Sequence, residues 1–137
     1  MPICPRFTAI GDVRDLLARH GCASGDSDIR SGINLYVNSR SVCKGDVALF
    51  LDGGFAEVCE VAFHVEINGE YFTAVSPWKT TAQNDYVRMC IRADSPMLID
   101  SKQLLESCIY YVGANHIAQV ILPAQARVAG QYLKYRH

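Results

Sequence analysis

The chain has 137 residues, half of them hydrophobic and 20% charged, with a formal net charge of -1. That is one domain's length with enough apolar content for a core, which excludes a disordered polymer. Near-neutral charge excludes a surface that is everywhere a nucleic-acid or polybasic membrane footprint.

The opening MPICPRFTAIGD lacks the basic-then-apolar layout of a secretory signal. No apolar stretch approaches the roughly 20 residues of a membrane helix. The cysteines are Cys4, Cys22, Cys43, Cys59, Cys90 and Cys108, and no two have CxxC or other metal-ligand spacing. The expectation is a cytoplasmic protein with free thiols, no metal and no cofactor.

In chain order, Val13, Leu16 and Leu17 put an apolar stripe on a helix over Asp12–His20, which Gly21 ends. A polar loop follows, then Ile33–Val37, which alternates like a half-buried strand. In the next strand Val47, Leu49 and Leu51 point one way, and Asp52-Gly53-Gly54 turns the chain. Cys59, Val61, Phe63, Val65 and Ile67 then form an apolar series with Glu60, Ala62, His64 and Glu66 between them. Asn68-Gly69 is the preferred dipeptide of a type I′ hairpin turn, because both residues tolerate positive φ. The turn sets the register: Ile67 faces Glu70, Val65 faces Phe72, Phe63 faces Ala74 and Val61 faces Ser76 on a core side. Glu66 with Tyr71, His64 with Thr73 and Ala62 with Val75 make a mixed side. Val58 breaks the alternation and marks a bulge.

Lys79–Asp85 reads as a polar loop. Tyr86–Arg92 reads as a strand with Val87, Met89 and Ile91 inward and Arg88, Cys90 and Arg92 outward, the arginines facing Glu60 or Glu66. Ser101–Val112 admits a helix, or a helical turn at KQLLE followed by a hairpin of CIYYV with HIAQVIL around Gly113-Ala114-Asn115. In that hairpin Cys108 faces about Val120. Beyond Pro123, Val128, Tyr132 and Tyr135 have the spacing of a terminal helix.

The fold expected is mainly β, with α+β as the alternative: a single domain with an N-terminal extension over 1–40, a barrel over 41–123 and a tail or helix over 124–137. Gly45–Pro123 resembles the small SH3-like antiparallel barrel of bromo-adjacent-homology and related chromatin-type modules. The likeness lies in the order KGDVALFL, the long hairpin GFAEVCEVAFHVEINGEYFTAVSPW, a polar loop, SPMLIDSKQLLESCIYYV and HIAQVILP. The resemblance implies a recognition module.

No GxGxxG, P-loop, HExxH, GxSxG or EF-hand pattern occurs. Asp26 and Asp28 lie in a Gly/Ser loop that lacks the later glycine and distal glutamate of a calcium loop. Cys22 with His20, Cys59 with His64 and Cys108 with His116 are the Cys–His combinations; the first pair diverges at a helix end, the second points to opposite strand faces, and the third lies four pairs apart in the expected hairpin. The binding groove expected from the barrel uses Tyr71, Val75, Trp78 and Tyr86, with His64 and Arg88 as polar anchors. Its ligand is a peptide or a partner protein. The alternatives are a homo-oligomer that mainly self-associates and a small enzyme assembled from Asp26, Asp28, His64 and Cys90. Arg127, Lys134 and Arg136, interleaved with Tyr132 and Tyr135, form a small basic tail able to touch nucleic acid.

Overall fold

A computed structural model describes residues 29–37, 40–84, 87–113 and 115–123. The expected N-terminal helix, Asp26 and Asp28, Tyr86 and the tail with Arg127, Lys134 and Arg136 lie outside them. Twelve strands make up the described part: β1 (Ile29–Gly32), β2 (Asn34–Val37), β3 (Arg40–Cys43), β4 (Val47–Asp52), β5 (Phe55–Ile67), β6 (Glu70–Pro77), β7 (Lys79–Gln83), β8 (Val87–Ile91), β9 (Met97–Asp100), β10 (Leu104–Ser107), β11 (Ile109–Val112) and β12 (Ile117–Ile121). Every pairing among them is antiparallel. The protein is therefore mainly β, as its alternating patterns require.

The first sheet runs β10-β4-β5-β6-β9, with β1 added to β5; the second runs β11-β12-β8-β7; β2 and β3 form a separate hairpin. Two tight turns work as the residues demand. Gly53 and Gly54 have φ of 59° and 90°, and Asn68 and Gly69 have φ of 51° and 85°. Both loops thus hold positive φ at both central residues, the twist that suits a two-residue hairpin. Gly69→Ala meets no neighbour within 4 Å, so its cost comes from φ alone. We expect about 1–2 kcal/mol, read as a lower urea midpoint with unchanged m-value.

The long hairpin keeps the expected register from Ile67↔Glu70 to Phe63↔Ala74, and then it slips. Val61 faces Val75 and Glu60 faces Ser76, so the bulge falls at Ala62 and not at Val58, which pairs regularly with Leu49. The cause is a change of neighbour. Up to Glu60, β5 is bordered by β4; from His64 it is bordered by β1. At the handover, the Val61 N–H donates to the Asp46 carbonyl and the Val61 carbonyl accepts from the Gly45 N–H, both at 2.8 Å.

An extra residue reverses side-chain phase. Cys59 and Val61 therefore share a face with His64, while Phe63, Val65 and Ile67 lie on the other. Three cores record this. Cys59, Val61, Val75, Phe50 and Ile99 pack with Leu35 and Val42 of β2 and β3. Val65, Ile67, Ala74 and Leu98 cluster with the half-buried Phe63. Val47, Leu49, Val58 and Trp78 meet Cys90, Ala118, Val120 and Leu122 between the two large sheets. Strand β4 accordingly buries Val47, Ala48, Leu49 and Phe50 in succession, not one face alone.

Two other expectations change. Lys79–Gln83 is a strand, because Thr80 and its neighbours carry the chain from the first sheet to the edge of the second. Strand β8 is inverted: Arg88 and Cys90 are buried, while Met89 and Ile91 are exposed. The Ser101–Val112 segment resolves into a 3-10 turn at Ser101–Gln103, capped by Asp100, followed by β10 and β11. The expected hairpin forms, but Tyr110, not Cys108, faces Val120.

Candidate functional site

The side chains chosen for a groove do not gather on one surface. Val75 belongs to the first core and Trp78 to the second; His64 and Arg88 are fully buried, and Tyr71 is half-buried.

His64 ties three elements together. Its Nε2 lies 2.8 Å from the Val42 carbonyl, which can only accept, so Nε2 carries the proton. Burial lowers the imidazole pKa and keeps the ring neutral. Nδ1 then accepts from the Thr73 hydroxyl at 2.8 Å, and Thr73 accepts from the Ser101 hydroxyl at 2.7 Å. Ser, Thr and His in line suggest a relay, but Thr73 and Ser101 are also buried. The chain is a structural tie between β3, β5, β6 and the 3-10 turn.

Arg88 is the buried polar counterpart in the second core. Nε donates to Gln83 Oε1 at 2.7 Å, and NH1 donates to the Ala56 carbonyl across the sheets. Cys90 donates to no strong base; burial, first of all, raises its thiol pKa. Burial likewise raises Cys59 and pushes Cys108 up to about 12. All three stay protonated at neutral pH, which is the inert form of the residue. Cys43, Cys59, Cys90 and Cys108 are unpaired thiols.

A cleft of about 620 Å³ opens where the two large sheets part, lined by Glu60, Ala62, Ser76, Arg92, Asp94 and His116 among others. The expected link between Arg92 and Glu60 exists there at 4.0 Å, with both side chains about half in solvent. Arg92 also lies 5.6 Å over the Trp78 ring, which meets Tyr110 edge-on at 5.7 Å. These contacts brace the mouth of the cleft. Among the described residues no three His, Cys, Asp or Glu side chains converge as metal ligands, and no helix is long and apolar enough to cross a membrane.

The outer face of the second sheet has a different character. In cross-strand rows it carries Ile109, Ile121 and Val87, then Tyr111, Gln119 and Met89, then Ile117 and Ile91. Ile109 is 74% exposed, Tyr111 58%, Ile91 47% and Ile121 44%. The one polar side chain in the middle, Gln119, donates from Nε2 to the Tyr111 hydroxyl at 3.1 Å. On β7 the rows continue to Ala82 beside Met89 and to the exposed Lys79 beside Ile91, so a charge borders the apolar part, which lies on β11, β12 and β8. Sequence reasoning missed this face, although β11 and β12 carry apolar residues at both phases, the sign of strands that need cover on both sides. No protein-family model, curated protein or solved structure matches this chain.

Proposed function

We propose that the protein is a non-catalytic interaction module whose recognition surface is the outer face of the β11-β12-β8-β7 sheet. The observation that carries this reading is the contiguous set of Ile109, Tyr111, Ile121, Met89 and Ile91 in solvent across β11, β12 and β8, joined by the half-buried Ile117 and bordered by Lys79. Scattered exposed hydrophobics are ordinary, but a contiguous patch marks a contact site. Three strands at about 4.8 Å spacing and five residues of about 3.3 Å give a footprint of about 240 Å², a contiguous patch of a few hundred Å². The partner is a peptide or a protein.

Chemistry supports the same conclusion from the other side. Cys59, Cys90 and Cys108 are held protonated, and the imidazole of His64, buried among the described residues, spends both nitrogens on structural hydrogen bonds. A general base must reach substrate, and His64 does not reach solvent. The antiparallel β4-β5-β6 run supports keeping the SH3-like resemblance as a reading of the fold, with recognition moved from a groove to a sheet face.

The test uses a displayed random-peptide library selected on the full chain. The counter-protein carries Ile91→Glu and Ile121→Glu, exposed changes expected to alter stability by under about 1 kcal/mol together. Apolar peptides should emerge and lose at least tenfold in affinity on the double variant. Ligands that bind both proteins equally would refute the proposal.

A further inference from the structure

Among the described residues, one edge of the two large sheets lacks protection. Strand β7 carries Lys79 and a register shift after Thr80, and β10 carries Glu106 and a shift of its own. Strand β1 holds Arg30, and β9 follows Pro96 and ends on Asp100. Charges, prolines and bulges of this kind keep foreign strands off a sheet edge. Strand β11, Ile109-Tyr110-Tyr111-Val112, has none of them and pairs with β12 regularly along its whole length. Its backbone is only half used. The Gly113 N–H donates to the Ile117 carbonyl at 3.2 Å, which makes 113 and 117 a bonded pair. Bonded and non-bonded pairs alternate along an antiparallel ladder. In the register Tyr110↔Val120 and Val112↔Ala118, the N–H and C=O of Tyr110 and Val112 therefore point away from β12. No other main-chain bond reaches these four groups among the described residues. Val112 is also a wall of the cleft of about 620 Å³, a volume within the ordinary range of ligand sites. It joins the open edge to a cavity whose lining carries both signs of charge, Glu60 and Asp94 with Arg92.

A side chain or a small ion uses one of these backbone groups at a time. Alternating donors and acceptors along an edge are matched in full by another extended backbone. Resting on the reading of the protein as an interaction module, we infer that the segment it recognises is an extended stretch of a partner polypeptide, added as a strand along Tyr110–Val112 and entering the cleft at Val112. Main-chain hydrogen bonds to Tyr110 and Val112 hold it. Its side chains alternate: one set continues the outer face beside Ile109 and Tyr111, and the other turns to the side where Tyr110 meets Trp78. Edge and face are then two parts of one recognition surface, the first supplying main-chain contact and the second side-chain contact. Ile91, exposed on the face and also lining the cleft, belongs to both.

The deciding experiment acts on the backbone. Peptides that the displayed library yields on the full chain are made synthetically with N-methyl groups on every second residue, in the two possible phases. N-methylation removes a donor, so the phase that faces β11 should lose at least about tenfold in affinity while the other stays within about threefold. Val112→Pro is the matching change in the protein, because the Val112 N–H serves no bond to β12 and proline is tolerated at such an edge position. It should weaken the peptides by at least about tenfold, with a circular dichroism spectrum like that of the wild type. If the variant fails to fold, the two-phase comparison on the wild-type chain decides alone. The Tyr110 and Val112 amides should exchange rapidly with solvent in the free chain and slowly once peptide is bound. Peptides weakened equally in both phases, or in neither, overturn strand addition; if they still lose affinity on the Ile91→Glu and Ile121→Glu protein, the interaction reading stands. Slow exchange in the free chain also overturns it, since another part of this chain or a second copy then fills the edge. Peptides indifferent both to phase and to the double variant would end both.

Discussion

Replacing Arg88 by alanine should destabilise the protein by about 3–5 kcal/mol, the sum of two hydrogen bonds from a charged donor and the void that the side chain leaves. The side chain crosses from the second sheet to the backbone of the first. It holds Gln83 with Nε and the Ala56 carbonyl with NH1 in an environment without solvent. Alanine leaves the Ala56 carbonyl without this donor and opens a void beside Val120 and Trp78, which both belong to that core. Hydrogen bonds from a charged donor contribute about 1.5–3 kcal/mol each, and the void adds to that. In urea unfolding, with m of about 1–3 kcal/mol/M, the midpoint should fall by more than 1 M. Arg88→Lys should recover little, since a compact ammonium cannot reproduce two divergent guanidinium bonds. A midpoint within error of wild type for Arg88→Ala would show that the guanidinium is not part of the inter-sheet joint.

The second large effect concerns His64 and carries a pH signature. Its folded pKa lies below the ordinary value because burial disfavours the cation. The unfolded chain takes up a proton near pH 6.5 and the folded one only at lower pH. Between those limits the unfolded state binds more protons, so stability is complete above about pH 6.5 and is lost as pH falls below it. The slope reaches about 1.4 kcal/mol per pH unit. His64→Leu should cost about 2–4 kcal/mol at pH 8, because it strands the Val42 carbonyl and the Thr73 hydroxyl in the first core. It should also remove that component of the acid slope. Urea midpoints from pH 8 to pH 5 in both proteins check this. Equal slopes would show that carboxylates, not this imidazole, set the acid sensitivity.

How much of this was legible depended on whether the controlling interaction was local. Asn68-Gly69 and Gly53-Gly54 carry their turn geometry in their own backbone freedom, and both hairpins are where the residues place them. A helical turn was legible at KQLLE, but the 3-10 turn lies at Ser101–Gln103 and its reciprocal cap is Asp100 with Gln103, a pair that the residues alone did not single out. The phase of β8 was not legible. Val87, Met89 and Ile91 are the more hydrophobic set, and a rule that sends such a set inward must fail on a sheet apolar on both sides. What decides the inner face is Arg88 reaching Ala56, 32 positions away. The same failure hid the candidate site: residues chosen as ligand contacts, Val75, Trp78, His64 and Arg88, are core, and Met89 and Ile91, assigned inward, stand on the exposed face.

His64 was misplaced for a related reason. An uninterrupted alternation from Cys59 to Ile67 contains no mark of the slip except the small Ala62, and the slip follows from which strand borders β5 at each end.

That slip makes the long hairpin two ribbons of opposite phase sharing one backbone. A ladder run regularly through Ala62 would give the wrong arrangement, with the imidazole toward the side where Phe63 now lies and the phenyl ring toward Leu35 and Val42, whereas loss of Ala62 itself would only take out the bulge and keep both phases. Length changes at the Asn68-Gly69 tip only extend or trim a ladder. The hairpin therefore tolerates insertions and deletions at its far end and, in its middle, only the loss of the bulged residue itself, a gradient opposite to what its sequence, regular in the middle and punctuated at the tip, would suggest.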